Sequence, residues 1–147
     1  MKWTMALATL VVGALIPIQA LLNSKMGKLT GGPVMGALVS FTVGLVCLLS
    51  LVMVSQPYTF RQLGNIGQAP WYAWLGGVIG AIFVGYITWA NQKLGVGFTF
   101  ALVVTGQLVA SLVLDHYGWL GAPLRQITLE KIIGVILIIA GVVLVKK

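Results

Sequence analysis

The chain reads as an all-α integral membrane protein of five transmembrane helices, and three observations predict it. Of its 147 residues, 59% are hydrophobic and 7% are charged, with a mean hydropathy of +1.04. A soluble domain carries about 25% charged residues, so most of this surface must face lipid. The apolar residues fall into five stretches, near 3–22, 33–54, 71–90, 96–114 and 129–145. Each is close to the ~20 residues needed to cross a hydrocarbon core. Finally, Trp3, Tyr58, Trp71, Tyr72, Trp89, Tyr117 and Trp119 stand at or beside the ends of those stretches. An amphipathic ring gains by lying at headgroup level there. No strict apolar–polar alternation runs through the sequence, which excludes a transmembrane β-barrel.

The first span follows Met1-Lys2 and is expected to be retained as a helix rather than removed as a secretory signal, although its flanks resemble one. Pro17 inside it cannot donate its N–H to Gly13, which predicts a bend with a freed carbonyl. Gln19 and Asn23 follow on one face. Either both amides point into the bundle as a solute site, or Gln19 bonds a neighbouring helix and Asn23 caps the helix end. In the second span Gly36, Ser40 and Gly44 recur every four residues, with Cys47 close behind. Small residues at this spacing let backbones approach, so the stripe is first a packing face, with Ser40 also a candidate solute ligand. Phe60, Leu63 and Ile66 in the connection that follows predict a short helical turn lying on the membrane surface.

Gly76 and Gly80 give the third span a similar small face, while Thr88 and Trp89 near its end are candidates for closing a pathway. The fourth span carries a polar line of Gln107, Ser111 and Asp115 along an otherwise apolar helix. Polar groups in lipid are expensive and normally face the bundle interior. Asp115 lies in the last turn, where the helix dipole disfavours a negative charge, so a donor or cation is expected beside it, from His116, Arg125 or Lys131. Asp115 and His116 are then either a coupling site for a proton or a tie for the following loop. Gly134 and Gly141, seven residues apart in the fifth span, form a seam suited to a partner helix.

What is missing excludes several functions. Cys47 is the one cysteine, and the chain has one histidine and two acids. No catalytic constellation, metal-ligand set or cofactor motif can be assembled from these, so the chain is not expected to be an enzyme or to hold a metal or cofactor. A pI near 9.9 would suggest nucleic acid in a soluble protein, but no basic cluster exceeds Lys146 and Lys147. No connection is long enough for a folded module, so residues 1–147 form a single transmembrane domain. With five spans the termini lie on opposite sides. Lys2, Arg61, Arg125 and Lys131 then face one side, and Lys25, Lys28, Lys93, Lys146 and Lys147 the other. A split of four against five gives almost no orientation signal, which predicts insertion both ways round.

The ordered series Gly13-x3-Pro17-x-Gln19-x3-Asn23, Ser40-Phe41-x2-Gly44, Trp74-x-Gly76-Gly77-x2-Gly80, Gly106-Gln107-x3-Ser111-x3-Asp115-His116-Tyr117-Gly118 and Gly134-x6-Gly141 spans nearly the whole chain. It resembles the YdcZ-type family of the drug/metabolite transporter superfamily. The resemblance implies a five-helix protein equivalent to one half of a ten-helix inverted-repeat transporter, working in a bacterial inner membrane as an antiparallel homodimer. The Gly134–Gly141 seam likewise resembles the dimerisation helix of small multidrug resistance proteins, relatives in that superfamily. Those proteins place a carboxylate deep in their first span, and this chain has none there. A pathway lined by amides, hydroxyls and backbone dipoles suits a small neutral or zwitterionic metabolite. The expected function is export of such a solute by alternating access. The alternatives are an obligate subunit of a heterodimeric transporter and a non-transporting membrane subunit that binds lipid or a partner.

Overall fold

The computed structural model describes residues 2–145, with all side chains in that range except those of Lys2, Pro57 and Arg61. The described residues form five α-helices and three stretches of 3₁₀ helix, in two compact units, 1–93 and 94–147.

In the first unit α1 (Lys2–Thr30) and α2 (Pro33–Ser55) form a hairpin closed by two residues. Gly31 and Gly32 have φ of 93° and 148°, backbone that a side chain would strain, and the Gly32 N–H donates to the Gly27 carbonyl at 2.8 Å. Pro33 then opens α2 at the position where its missing N–H costs nothing. The two helices touch backbone to backbone. A Cβ on Gly36 would strike the Asn23 carbonyl oxygen and lie 2.7 Å from the Gly27 nitrogen.

A 3₁₀ run, Pro57–Gln68, follows α2. Three residues per turn eclipse Phe60, Leu63 and Ile66 on one face, and Phe60 and Leu63 line an apolar pocket against Leu45, Leu48, Leu49 and Val52 of α2. A second short 3₁₀ turn, Trp71–Trp74, leads into α3 (Leu75–Leu94). Phe41 of α2 meets Gly80, and Val34 lines a pocket with Tyr86, so α3 runs antiparallel to α2 and parallel to α1. The Ser24 hydroxyl fixes that parallel pair by donating to the Thr88 carbonyl at 3.0 Å.

The second unit is another hairpin. Gly118, with φ 63°, caps α4 (Val96–Tyr117) by donating its N–H to the Leu114 carbonyl. A 3₁₀ turn, Trp119–Gly121, and an extended segment lead to α5 (Leu129–Val145), which packs on α4. The loop is laced to the end of α4: the Arg125 N–H donates to the Asp115 carbonyl at 2.8 Å, and the Ile127 N–H to His116 Nδ1 at 3.4 Å.

The interior inverts that of a soluble protein. The buried apolar residues are Ala20, Ala37, Ile87 and Ala90, and the buried polar ones are Asn23, Ser24, Thr88, Asn91 and Thr99. Large side chains such as Leu10, Leu48 and Leu137 point outward. Helices in lipid have no hydrophobic drive toward one another and pack through small and hydrogen-bonding residues instead.

Four segments, Trp3–Thr30, Pro33–Ser55, Trp71–Leu94 and Val96–Tyr117, are long and apolar enough to cross a membrane. With 17 described residues, α5 stands at the lower limit for a span. The helix bounds of α2 and α5 coincide with the expected apolar runs, whereas three helices run past theirs: α3 continues through Asn91-Gln92-Lys93, α4 through Asp115-His116, and α1 farthest of all. The first helix runs eight residues past Leu22, through Asn23-Ser24-Lys25, where a polar break was expected. Asn23 therefore lies inside the helix and caps nothing, and Pro17 is accommodated within the same helix. The buried contact of Asn23 and Ser24 with α2 and α3 holds those last turns in place.

Candidate functional site

Hydroxyls contribute less to a solute pathway than their number suggests. Thr9, Thr42, Ser55, Thr88, Thr99 and Thr105 each donate to the carbonyl four residues back, and Ser111 donates to Leu108. A hydroxyl closed on its own helix is satisfied and has little left to offer a ligand. The groups still open are mainly amides.

In the first unit, Gln19, Asn23 and Ser40 come together. They line a groove of about 360 Å³ between α1 and α2, together with Leu15, Leu22 and Gly36. Gln19 and Ser40 also line a second cavity of about 340 Å³, with Gly44 and Leu48 of α2 and Val84 of α3. These two side chains thus stand between a groove on one face of the hairpin and a cavity shared with α3. Among the described residues neither has a side-chain hydrogen-bond partner, so both remain free to bind a solute. Their walls are otherwise apolar and carry no charge, which favours an uncharged or internally neutralised occupant over a bare ion.

Gln107 and Ser111 lie on α4 of the second unit, both exposed, while Asp115 and His116 are half-buried at the end of that helix. The expected ion pair is absent among the described residues. Arg125 reaches Asp115 through backbone alone, Lys131 Nζ donates to the Gln126 carbonyl, and His116 Nδ1 is taken by Ile127. The loop is fastened by hydrogen bonds rather than charge, which leaves the Asp115 carboxylate without a cation. His116 stacks edge-on against Tyr117, and Tyr117 lies face to face with Trp119, 5.1 Å between centroids.

The small residues divide into two sets. Gly36 sits in the α1–α2 crossing and Gly80 faces Phe41, whereas Gly44, Gly76, Gly134 and Gly141 have open space where a Cβ would be. Gly27, which the sequence pattern did not single out, is also closely held, with its Cβ position 2.8 Å from the Gly32 carbonyl oxygen. Asn91, expected in a polar break between spans, is buried within α3. Its spacing of three residues from Thr88 was the available signal, since both fall on one helical face. No group of three or more His, Cys, Asp or Glu residues lies close enough to hold a metal ion among the described residues.

Helices that span by length and composition, packed through small residues around amide-lined cavities, define a multi-pass integral membrane protein. Comparison makes the class particular: the chain belongs to the family described as "Putative inner membrane exporter, YdcZ", whose profile matches residues 4–144. It is 27% identical to the Inner membrane protein YdcZ of Escherichia coli strain K12, over 149 aligned positions that cover 100% of this chain and 98% of that one. No solved structure matches it significantly. The protein is accordingly one of the inner membrane.

Proposed function

We propose that the chain is a secondary transporter that exports a small polar metabolite, neutral or zwitterionic, and that it is not an enzyme. The observation that carries this reading is the placement of unpaired Gln19 and Ser40 between two uncharged cavities of one helical unit, in a chain of an exporter family. Amides offer a donor and an acceptor at once, and in a low-dielectric wall such contacts select by hydrogen-bonding pattern. In this reading residues 1–147 act as one transmembrane domain with α5 as a fifth span. Two copies pair antiparallel, and the near-even distribution of basic residues allows either orientation. Glycines with open space beside them, Gly134 and Gly141 above all, supply surface for the partner. On α4, Gln107 is a further solute ligand, Ser111 becomes one on releasing its bond to Leu108, and Asp115 with His116 couples transport to protons.

Two measurements test this. Single cysteines placed at residues 61 and 28 in a Cys47→Ala background are labelled from each side of sealed vesicles. Dual insertion predicts that each is reached from both sides, and one fixed orientation overturns the homodimer. It would point instead to an obligate heterodimer. Proteoliposomes screened against polar metabolite pools should show uptake that falls at least about tenfold on Gln19→Leu. If no pool is transported, the chain is a non-transporting membrane subunit. If uptake survives Gln107→Ala and Asp115→Asn, those residues lie off the path.

A further inference from the structure

One buried polar side chain is left open at both ends. Asn91 is 7% exposed, and neither its Nδ2 nor its Oδ1 has a hydrogen-bond partner. A carboxamide taken out of water must recover two kinds of hydrogen bond, and leaving both unmade is among the costlier arrangements in a protein interior. The neighbouring polar groups are already committed. Ser24 donates to the Thr88 carbonyl and the Thr88 hydroxyl donates to Val84.

The register of α1 against α3 gives this amide a place in a sequence of layers. Gln19 and Val84 line the cavity shared by the three helices of the first unit. Moving along both helices in the same direction, the Ser24–Thr88 bond comes next. Asn91 lies three residues beyond Thr88 on the same face of α3, about 4.5 Å farther along the axis. A closed hydrogen bond therefore separates one set of free amide and hydroxyl groups from another free amide.

We propose that Asn91 is a second solute-binding position, beyond the Ser24–Thr88 bond from the Gln19–Ser40 cavity, and that it recognises carboxamide-type edges. Such a ligand presents an N–H or O–H donor beside a carbonyl acceptor, which pairs with both open atoms of Asn91 at once. The proposal rests on the reading that the chain passes small polar solutes, and its own test does not require transport.

The full-length protein, labelled with ¹⁵N at asparagine only, has three side-chain amides, those of Asn23, Asn65 and Asn91. Asn91→Leu, or Asn91→Ala if the larger residue impairs folding, assigns the third pair, and exposed Asn65 serves as the reference. Acetamide is then titrated against acetone, which matches it in size and acceptor but lacks the donor. The expected result is a saturable shift of the Asn91 signals with acetamide, at least about tenfold weaker with acetone, while Asn65 is unmoved. No saturable shift, or equal responses to the two probes, overturns the proposal. Binding of acetamide by a protein that transports no solute would refute the transport reading and leave this site standing. Transport without a response at Asn91 would do the reverse.

Discussion

Replacing Gly36 by alanine puts the α1–α2 crossing to a direct test. The new Cβ would meet backbone on three sides: the Asn23 oxygen, the Gly27 nitrogen at 2.7 Å and the Gly27 Cα at 2.9 Å. Backbone has no rotamer with which to yield, so the helices must separate by about 0.7 Å to restore an ordinary contact of 3.4 Å at the nitrogen alone. Overpacking of this kind costs about 1–3 kcal/mol, against which alanine returns about 1 kcal/mol of helix propensity over glycine. The net expectation is a loss of roughly 0–2 kcal/mol. Gly44, on the same helix, has nothing within 4 Å of its Cβ position. There the same substitution collects the propensity alone and stabilises by about 0.5–1 kcal/mol. The propensity gain is common to both, so the two alanines should differ by the overpacking cost, about 1–3 kcal/mol, or roughly 5- to 150-fold in the unfolding equilibrium. Unfolding in mixed detergent–dodecyl sulfate micelles, followed by fluorescence of the five tryptophans, measures both. If Gly36→Ala unfolds at or above the denaturant midpoint of Gly44→Ala, the backbone contact between α1 and α2 is refuted.

Two further substitutions extend the test. Ser24→Ala removes the bond to the Thr88 carbonyl and should cost about 0.5–1.5 kcal/mol in the same assay, whereas an unchanged midpoint would mean that α1 and α3 are not joined there. Leu120 holds φ 58° in the turn after α4 while the residue is 79% exposed, so it carries left-handed strain with little burial in return. Leu120→Gly should relieve about 1–2 kcal/mol of strain, offset in part by the freer unfolded chain, and raise the melting temperature by a few degrees; a lower melting temperature would show that the leucine packs.

How far the sequence spoke for itself differs from element to element. Hydropathy locates the four segments long and apolar enough to span and the shorter apolar run of α5, and Pro33 marks the start of α2. The end of α1 is hidden for the opposite reason. Asn23-Ser24-Lys25 looks like a boundary in isolation and becomes interior only because two residues distant in sequence meet it, Gly36 by close approach to the Asn23 backbone and Thr88 by accepting from Ser24. Helical spacing puts Gln19 and Asn23 on one stripe of α1, while their meeting with Ser40 in one groove depends on the α1–α2 hairpin. The partner of Asp115 was not legible: charge suggested Arg125 or Lys131, while the loop is tied through backbone atoms that carry no sequence signature. The burial of Asn91 is equally hidden, because an asparagine next to Gln92 and Lys93 usually belongs to solvent.

The parallel pair α1 and α3 leaves an uneven membrane profile. Each helix ends six residues after the Ser24–Thr88 bond, so the two finish level at that face. Before the bond α1 has 22 residues, whereas α3 has 13 preceded by the four-residue 3₁₀ turn Trp71–Trp74, and the whole difference falls at the opposite face. The five extra residues of α1 add about 6 Å there once the steeper rise of the 3₁₀ turn is counted, and Trp3 and Met5 make that overhang apolar. Hydrophobic mismatch is thus concentrated on one leaflet. A thinner bilayer would push the start of α1 into the headgroups or force it to tilt, while the other end of the unit stayed matched. In the antiparallel pair proposed above each leaflet would feel one such overhang, so acyl-chain length would act on both copies equally, a control that no solute supplies.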